Sequence, residues 1–207
     1  MPLQNRVDPF GDLFASPVRG TLMGNRGGKF HGHDRTLGAR RFASRQWICC
    51  VLSFKDRRRD VWGRFYTELF FLDEVTAFAA GHRPCFECRR ADALAFAYAF
   101  ADGRPPSRAA EMDRVLHAER LDGKAKRLHR SLLDGLPDGA MIRLGNRPAA
   151  ERPFAVHGDV LLPWTPAGYG APCARPRGAA VDVLTPPSIV GVLSRGYRVA
   201  WHPSAAR

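Results

Sequence analysis

Cys85 and Cys88 stand with two residues between them in the run GHRPCFECRR. Two thiolates in a C-x2-C spacing lie about one turn apart and can grip one tetrahedral ion, so the pair has the form of a zinc half-site. Redox dithiols use the same spacing, but in a βαβ setting that the flanking sequence does not supply. The remaining candidates for the metal set are the adjacent Cys49 and Cys50. On an extended strand neighbouring side chains point to opposite faces, so these two are not expected to reach one ion together. Cys50 falls on the face of Ile48, Leu52 and Phe54, and Cys49 on that of Trp47, Val51 and Ser53. Cys50 is the preferred third ligand; the alternative is that both are buried structural thiols. His31, His33, His82 and Cys173 are candidates for a fourth ligand, with His82 read first as a packing ring. A site with three protein ligands would leave an open, catalytic position.

If the centre does chemistry, the sequence nominates Cys50 as thiolate and Glu68, just before the apolar run LFFL, as an acid or base. An exposed strand position is the plainer account of Glu68. Cys85 and Cys88 sit near the start of an expected helix, where backbone N–H groups would donate to sulfur and calm both thiolates. His117 and Glu119 share an expected helix without a reactive partner, and no GxSxG, HExxH or GxxxxGK[ST] pattern occurs. Trp62, Phe65 and Tyr66 interleave with Arg57, Arg58, Arg59 and Arg64. Such a mixture suits stacking on bases while holding phosphates, and it equally suits a basic hairpin covering its own core.

The elements that must position these groups read as α+β. Residues 1–46 are rich in Gly, Arg and His with no apolar period and are expected to form an irregular basic arm. A strand over 47–54 and a second stretch over 61–72 suggest a long hairpin with the basic tip KDRRRD. Asp73 is a good N-cap for a short helix over 73–80, with Gly81 as its stop. Further helices are expected over 87–101 and 107–121, with a short one over 124–133. Residues 136–207 are expected to be β-rich, with a hairpin turning at Gly158-Asp159 and a closing strand, short helix and strand, packed on the same unit as the helical region 47–135. A faint internal echo links LFFLDEVTAFAAGHR with LTPPSIVGVLSRGYR, matching Gly81 to Gly196 and Arg83 to Arg198.

Residues 68–89 resemble the second half of the N-terminal zinc domain of the bacterial Ada DNA-repair family. The apolar strand 69–72, the Ala-rich helix 73–80 and the signature Gly81-His82-Arg83-Pro84-Cys85-Phe86-Glu87-Cys88-Arg89 carry the likeness, with His82 where the family has an aromatic ring. The resemblance implies a four-cysteine zinc site beside a DNA backbone, with Cys85 and Cys88 as two ligands. In that family one zinc-bound thiolate accepts a methyl group from a phosphotriester. The family's other cysteine pair, about four residues apart, has no counterpart; Cys49-Cys50 stand in its place.

Charge supports a polyanionic partner. The 207 residues carry a net +12, and 28 of the 32 basic residues are Arg, whose planar fork suits phosphate. Residues 16–66 hold twelve basic and three acidic side chains, net +9, so the remainder carries only +3. A GC-rich codon bias would spread Arg evenly; this concentration points to nucleic acid, DNA by preference, through Arg40, Arg41, Arg45, Arg57, Arg58, Arg59, Arg64 and Arg83. No apolar run reaches the length of a membrane span, the start lacks a signal-peptide core, and the five cysteines form an odd set; together these favour a reducing cytoplasm. The sequence thus favours a zinc-containing nucleic-acid-binding protein of repair or processing. An alternative is a zinc enzyme acting on a nucleic acid or nucleotide, and a second is a zinc-stabilised protein–protein adaptor.

Overall fold

A computed structural model describes residues 2–57, 60–144 and 152–206. The protein is α+β. Its first sheet contains β1 (Arg6–Val7), β2 (Leu13–Phe14), β3 (Leu22–Arg26), β4 (Trp47–Cys50), β5 (Leu69–Phe71) and β6 (Arg83–Pro84). Their order is β2-β1-β5-β3-β4-β6. The expected irregular arm therefore supplies three strands, and β3 lies at the sheet's centre. Composition hid this strand because its middle residue is Gly24, where a Cβ would come within 2.2 Å of the Ile48 carbonyl oxygen. A close backbone approach demands a residue that contributes nothing to an apolar period. The expected 47–72 hairpin does not form. β4 stops at Cys50, and both β4 and β5 pair antiparallel with β3 rather than with each other.

Asp73 caps α1 (Glu74–Ala79) as its residue type requires, its carboxylate accepting the Thr76 N–H. Gly81 ends the helix at φ 82°, a conformation that an L side chain rarely adopts. The chain then runs through β6 into α2 (Arg90–Ala101) and α3 (Ala109–Arg120). In place of the helix expected over 124–133, the chain forms a hairpin of β7 (Leu121–Asp122) and β8 (Ala125–Lys126), then β9 (His129–Leu132). Gly123, at φ 60°, is the first of the two loop residues between Asp122 and Ala125, the place where one class of tight hairpin turn takes glycine.

The second sheet contains β10 (Met141–Arg143), β11 (Pro153–His157), β12 (Val160–Thr165), β13 (Gly168–Tyr169), β14 (Cys173–Ala174) and β15 (Ala180–Val183). β11 and β12 form the expected hairpin about Gly158-Asp159. The order is β13-β12-β11-β10-β15-β9, with β14 also on β12. α4 (Pro187–Ser194) follows, but the final strand expected after it is absent among the described residues; a short turn of 3-10 helix, Pro203–Ala206, closes the chain instead. Before that turn, the Ala200 N–H donates to the buried carboxylate of Glu74 and the Ala200 carbonyl accepts the Glu74 N–H.

One face of the first sheet contributes Cys49, Leu69 and Phe71 to a core with Phe78, Phe96, Met112, Leu116 and, from α4, Ile189 and Val192. Complete burial of such large apolar side chains stabilises by about 1.5–3 kcal/mol each. α1 turns its other apolar residues, Val75 and Ala79, to a second cluster with Met141, Leu162 and Trp164 from the second sheet. The helix is therefore the wedge on which both sheets are packed.

Candidate metal centre

Parallel pairing of β4 with β6 sets Ile48 beside Arg83 and Cys49 beside Pro84, and the Cys85 N–H continues the ladder onto the Cys49 carbonyl at 3.0 Å. Cys85 is thereby carried alongside Cys50. The turn that follows brings back Cys88, just before α2, with the Arg89 N–H on the Cys85 carbonyl at 3.0 Å. The Sγ atoms of Cys50, Cys85 and Cys88 lie within 4.8 Å of one another. Thiolates on one tetrahedral zinc, with Zn–S bonds of about 2.3 Å, sit roughly 3.8 Å apart, so the three need only small rotations to share an ion. The cluster can hold a metal ion.

The electrostatics of the cluster follow from the three sulfurs themselves. Hydrogen bonds from Cys50 and Cys88, together with the Glu87 N–H at 3.4 Å, hold the Cys85 thiol well below its ordinary range. Cys50 is driven up, first because it donates to Cys85 and then by Cys88 and burial. For Cys88 a hydrogen bond from Cys50 pulls down, but Cys85 and burial outweigh it and the thiol rises. A metal cation held by the three sulfurs would displace their remaining protons. Cys50 and Cys85 are buried and Cys88 is partly exposed.

Cys49 does not join. It points to the core on the opposite face, where its Sγ accepts a hydrogen bond from Arg89 at 3.3 Å and burial lifts its pKa. Glu68 is buried against Trp62. Its buried carboxylate accepts the Trp62 N–H at 2.7 Å and its carbonyl accepts the Trp62 indole N–H, so it clamps the loop between β4 and β5. Cys50 stands in the cluster and is buried. None of the four candidates for a further ligand reaches the cluster. His31 is held by Thr67 and Gly63 and stacks on Trp62, His33 is exposed, His82 packs against Trp47 and Phe71, and Cys173 lies on β14 of the other sheet.

The cluster floors a cleft of about 520 Å³. Ile48 and Gln46 extend the cluster's side of β4, Asn25 faces in from β3, and Phe54, Arg57 and Tyr66 come from the connecting loop. Arg57 pairs with Glu87 at 2.6 Å across the exposed rim, a contact of small energetic weight. Arg64 and the exposed Phe65 lie next along the same loop, with the guanidinium 5.8 Å from the ring. Arg58 and Arg59 lie outside the described residues. Arg83 is no surface contact: it is 1% exposed and makes two 2.8 Å hydrogen bonds to Asp113, fixing α3 against β6. Arg40, Arg41 and Arg45 are exposed, but Arg40 and Arg41 border a separate pocket beside Trp47. Gln46 and Asn25 were not singled out from sequence, although stepping back by two from Cys50 through Ile48 reaches Gln46.

No family model, curated protein or solved structure matches the chain. No helix among the described residues is long and apolar enough to cross a membrane.

Proposed function

We propose that the protein is a zinc protein that binds nucleic acid, DNA by preference, at the cleft above Cys50, Cys85 and Cys88, in a repair or processing role. The observation that carries this reading is the union of a three-sulfur cluster with a cleft wall of Phe54, Tyr66 and Arg57. Three thiolates favour a thiophilic ion, and zinc is the common choice for such a set. Aromatic rings beside Arg give stacking surfaces and phosphate forks along one groove. The Ada-like residues 81–89 agree with a zinc site close to a phosphate backbone.

Two measurements test the reading. Elemental analysis of the purified chain should find about one zinc per molecule, lost when Cys85 and Cys88 are both changed to Ser. Fluorescence anisotropy should show binding to single- and double-stranded DNA that weakens steeply with salt. Tyr66→Ala with Arg57→Ala should reduce that affinity about tenfold, since stacking on one base contributes about 1–3 kcal/mol. A metal-free folded chain, or affinity indifferent to both substitutions, would overturn the proposal.

A second reading follows from the partial exposure of Cys88. A reachable thiolate can act as an alkyl acceptor: its sulfur forms an S–C bond to the methyl carbon as the methyl C–O bond of a phosphotriester breaks, and the phosphodiester leaves with the electron pair. Zinc would supply a thiolate that stays ionised at neutral pH. Incubation with a methyl-phosphotriester oligonucleotide, followed by peptide mapping, should find one added methyl group on Cys88. Its absence, with DNA binding retained, leaves the binding function alone.

A further inference from the structure

β3 and β4 present two different surfaces. Asn25, Ile48 and Cys50 face the thiol cleft, while Arg26 and Trp47, one residue out of phase, line a pocket of about 350 Å³ on the other side. Six cations border that pocket: Arg26, Arg40, Arg41, Arg120, Lys124 and Lys126. Asp12 is the one carboxylate among its described lining residues.

Arg26 and Arg120 are each 1% exposed. Both guanidinium carbons lie 3.9 Å from the centroid of the Trp47 ring, which places the two charges within twice that distance of each other. Their hydrogen bonds go to backbone carbonyls and to two imidazole rings: Arg26 to Gly11 at 2.8 Å, Arg41 at 3.3 Å and the His82 ring at 3.4 Å, and Arg120 to Gly81 at 3.0 Å, Arg45 at 2.8 Å and the His117 ring at 3.0 Å. The Lys126 ammonium donates to the Ala79 carbonyl. Carbonyls and neutral imidazole nitrogens satisfy N–H groups but bring no countercharge. Among the described residues no carboxylate forms an ion pair with Arg26, Arg120 or Lys126. The Arg120 Nε–H is buried with no partner at all among them.

Such a cluster is costly. Burial, and then the charges of Arg26 and Arg120, push Lys126 down to about 7, with Asp8 opposing only in part. Burial and then Arg26 lower Arg120 as well, with Asp113 opposing, and burial lowers Arg26 against the more distant charges of Asp8 and Asp12. A guanidinium nevertheless keeps its proton, so the repulsion persists until an anion enters. The buried Arg83, by contrast, has its own carboxylate. The pocket also offers Phe10 and Phe42 as apolar wall, and its volume is at the lower end of small-ligand sites.

We propose that this pocket binds a nucleoside monophosphate, its phosphate met by Arg120, Arg26 and Lys126 and its base lying against Phe10 and Phe42. The ligand is either a free mononucleotide or the 5′-phosphorylated end of a nucleic acid strand. The site shares no side chain with the thiol cluster and does not depend on the zinc reading.

Calorimetric titration and thermal melting of the full chain test it with adenosine 5′-monophosphate, inorganic phosphate, adenosine, and oligothymidylate carrying either a 5′-phosphate or a 5′-hydroxyl. The monophosphate should bind and raise the melting temperature, inorganic phosphate should bind at least tenfold more weakly, and adenosine should give no saturable heat. A preference of the 5′-phosphorylated oligomer over the mononucleotide identifies a strand end as the source; the reverse identifies a free nucleotide. Lys126→Met should weaken binding by about tenfold or more, as loss of a charge-assisted contact does. Where Lys126→Met does not fold, the exposed pair Arg40→Ala and Lys124→Ala decides, and should weaken binding several-fold with an unchanged melt. Equal binding of adenosine and its monophosphate, affinity no better than that of inorganic phosphate, or insensitivity to the Arg40 and Lys124 changes would overturn the assignment.

Discussion

One residue of offset on β4 separates a thiol in the three-sulfur cluster from a thiol in the apolar core. Cys50 faces Cys85 and Cys88, whereas Cys49 is fully buried beside Phe71 and Phe96 and is bonded by Arg89. The period of two along a strand forces this division whatever the chemistry of the two side chains. Cys50→Ser should therefore abolish stoichiometric metal, while Cys49→Ala should retain it and lose about 1 kcal/mol of stability from the void left behind. Elemental analysis alongside thermal melting of both variants checks the pair, and loss of metal from Cys49→Ala would reverse the assignment. Arg83 shows the same sensitivity to burial. Among the surface arginines expected to meet phosphate, it is instead closed onto Asp113 by two hydrogen bonds. Arg83→Met leaves that carboxylate buried and unpaired, an imbalance of about 3–5 kcal/mol. Urea unfolding should show this loss, whereas a surface contact would leave the midpoint where it is.

At the scale of elements, the backbone of β3 carries the closest approach in the first sheet. A Cβ on Gly24 would meet the Ile48 carbonyl oxygen at 2.2 Å and the Phe71 ring at 2.8 Å, so β3 could not keep its place between β4 and β5. Gly24→Ala should cost about 3 kcal/mol or more, at the upper end of overpacking penalties. Gly38→Ala, with nothing within 4 Å of its added Cβ, should melt with the native chain. Circular dichroism melts of the two variants make the comparison; equal melting would mean that β3 is not held there. The same glycine explains why this strand was illegible. α1 could be read from sequence because its information is local: Asp73 caps, Val75 and Phe78 are buried, and Gly81 stops. The C-x2-C pair and the choice of Cys50 were legible for the same reason. The echo between residues 69–83 and 184–198 extends to the helix ends: Gly81 and Gly196 both take positive φ, followed by His82 and Tyr197 N–H bonds back to Ala77 and Val192. It stops there, since Arg83 is buried and Arg198 exposed. What could not be read was long-range. β3 inserts between β4 and β5 across a sequence gap, and Arg120 and Lys126 reach the pocket of Arg26 from α3 and β8, an encounter that no spacing rule encodes.

Across the whole molecule, the two sheets are joined by a polar seam as well as by apolar packing. Asp73 is 1% exposed and serves both halves: Oδ1 caps α1 through Thr76, and Oδ2 accepts from the Tyr169 hydroxyl at 2.8 Å and the His202 N–H at 3.0 Å. Glu74 repeats the pattern with Arg89 on one side and the Tyr197 hydroxyl and Ala200 N–H on the other. The Trp164 indole donates to Thr76 at 3.0 Å from within the second sheet. Removing the Asp73 carboxylate leaves donors from both halves buried without acceptors. A lost cap costs about 1 kcal/mol, and each orphaned donor about 1–3 kcal/mol, so Asp73→Ala should lose about 3 kcal/mol or more. Because the donors belong to α1, to the second sheet and to the C-terminal segment, and α1 packs on both sheets, the loss should appear as a shift of one transition. In urea, far-ultraviolet circular dichroism and tryptophan fluorescence, with Trp47 buried in the first half and Trp164 in the second, should trace coincident curves in the native chain. Asp73→Ala should move both midpoints together and leave the slopes equal. Two separated transitions, or a shift seen by one probe alone, would mean that the sheets unfold as independent units and that the seam at α1 does not couple them.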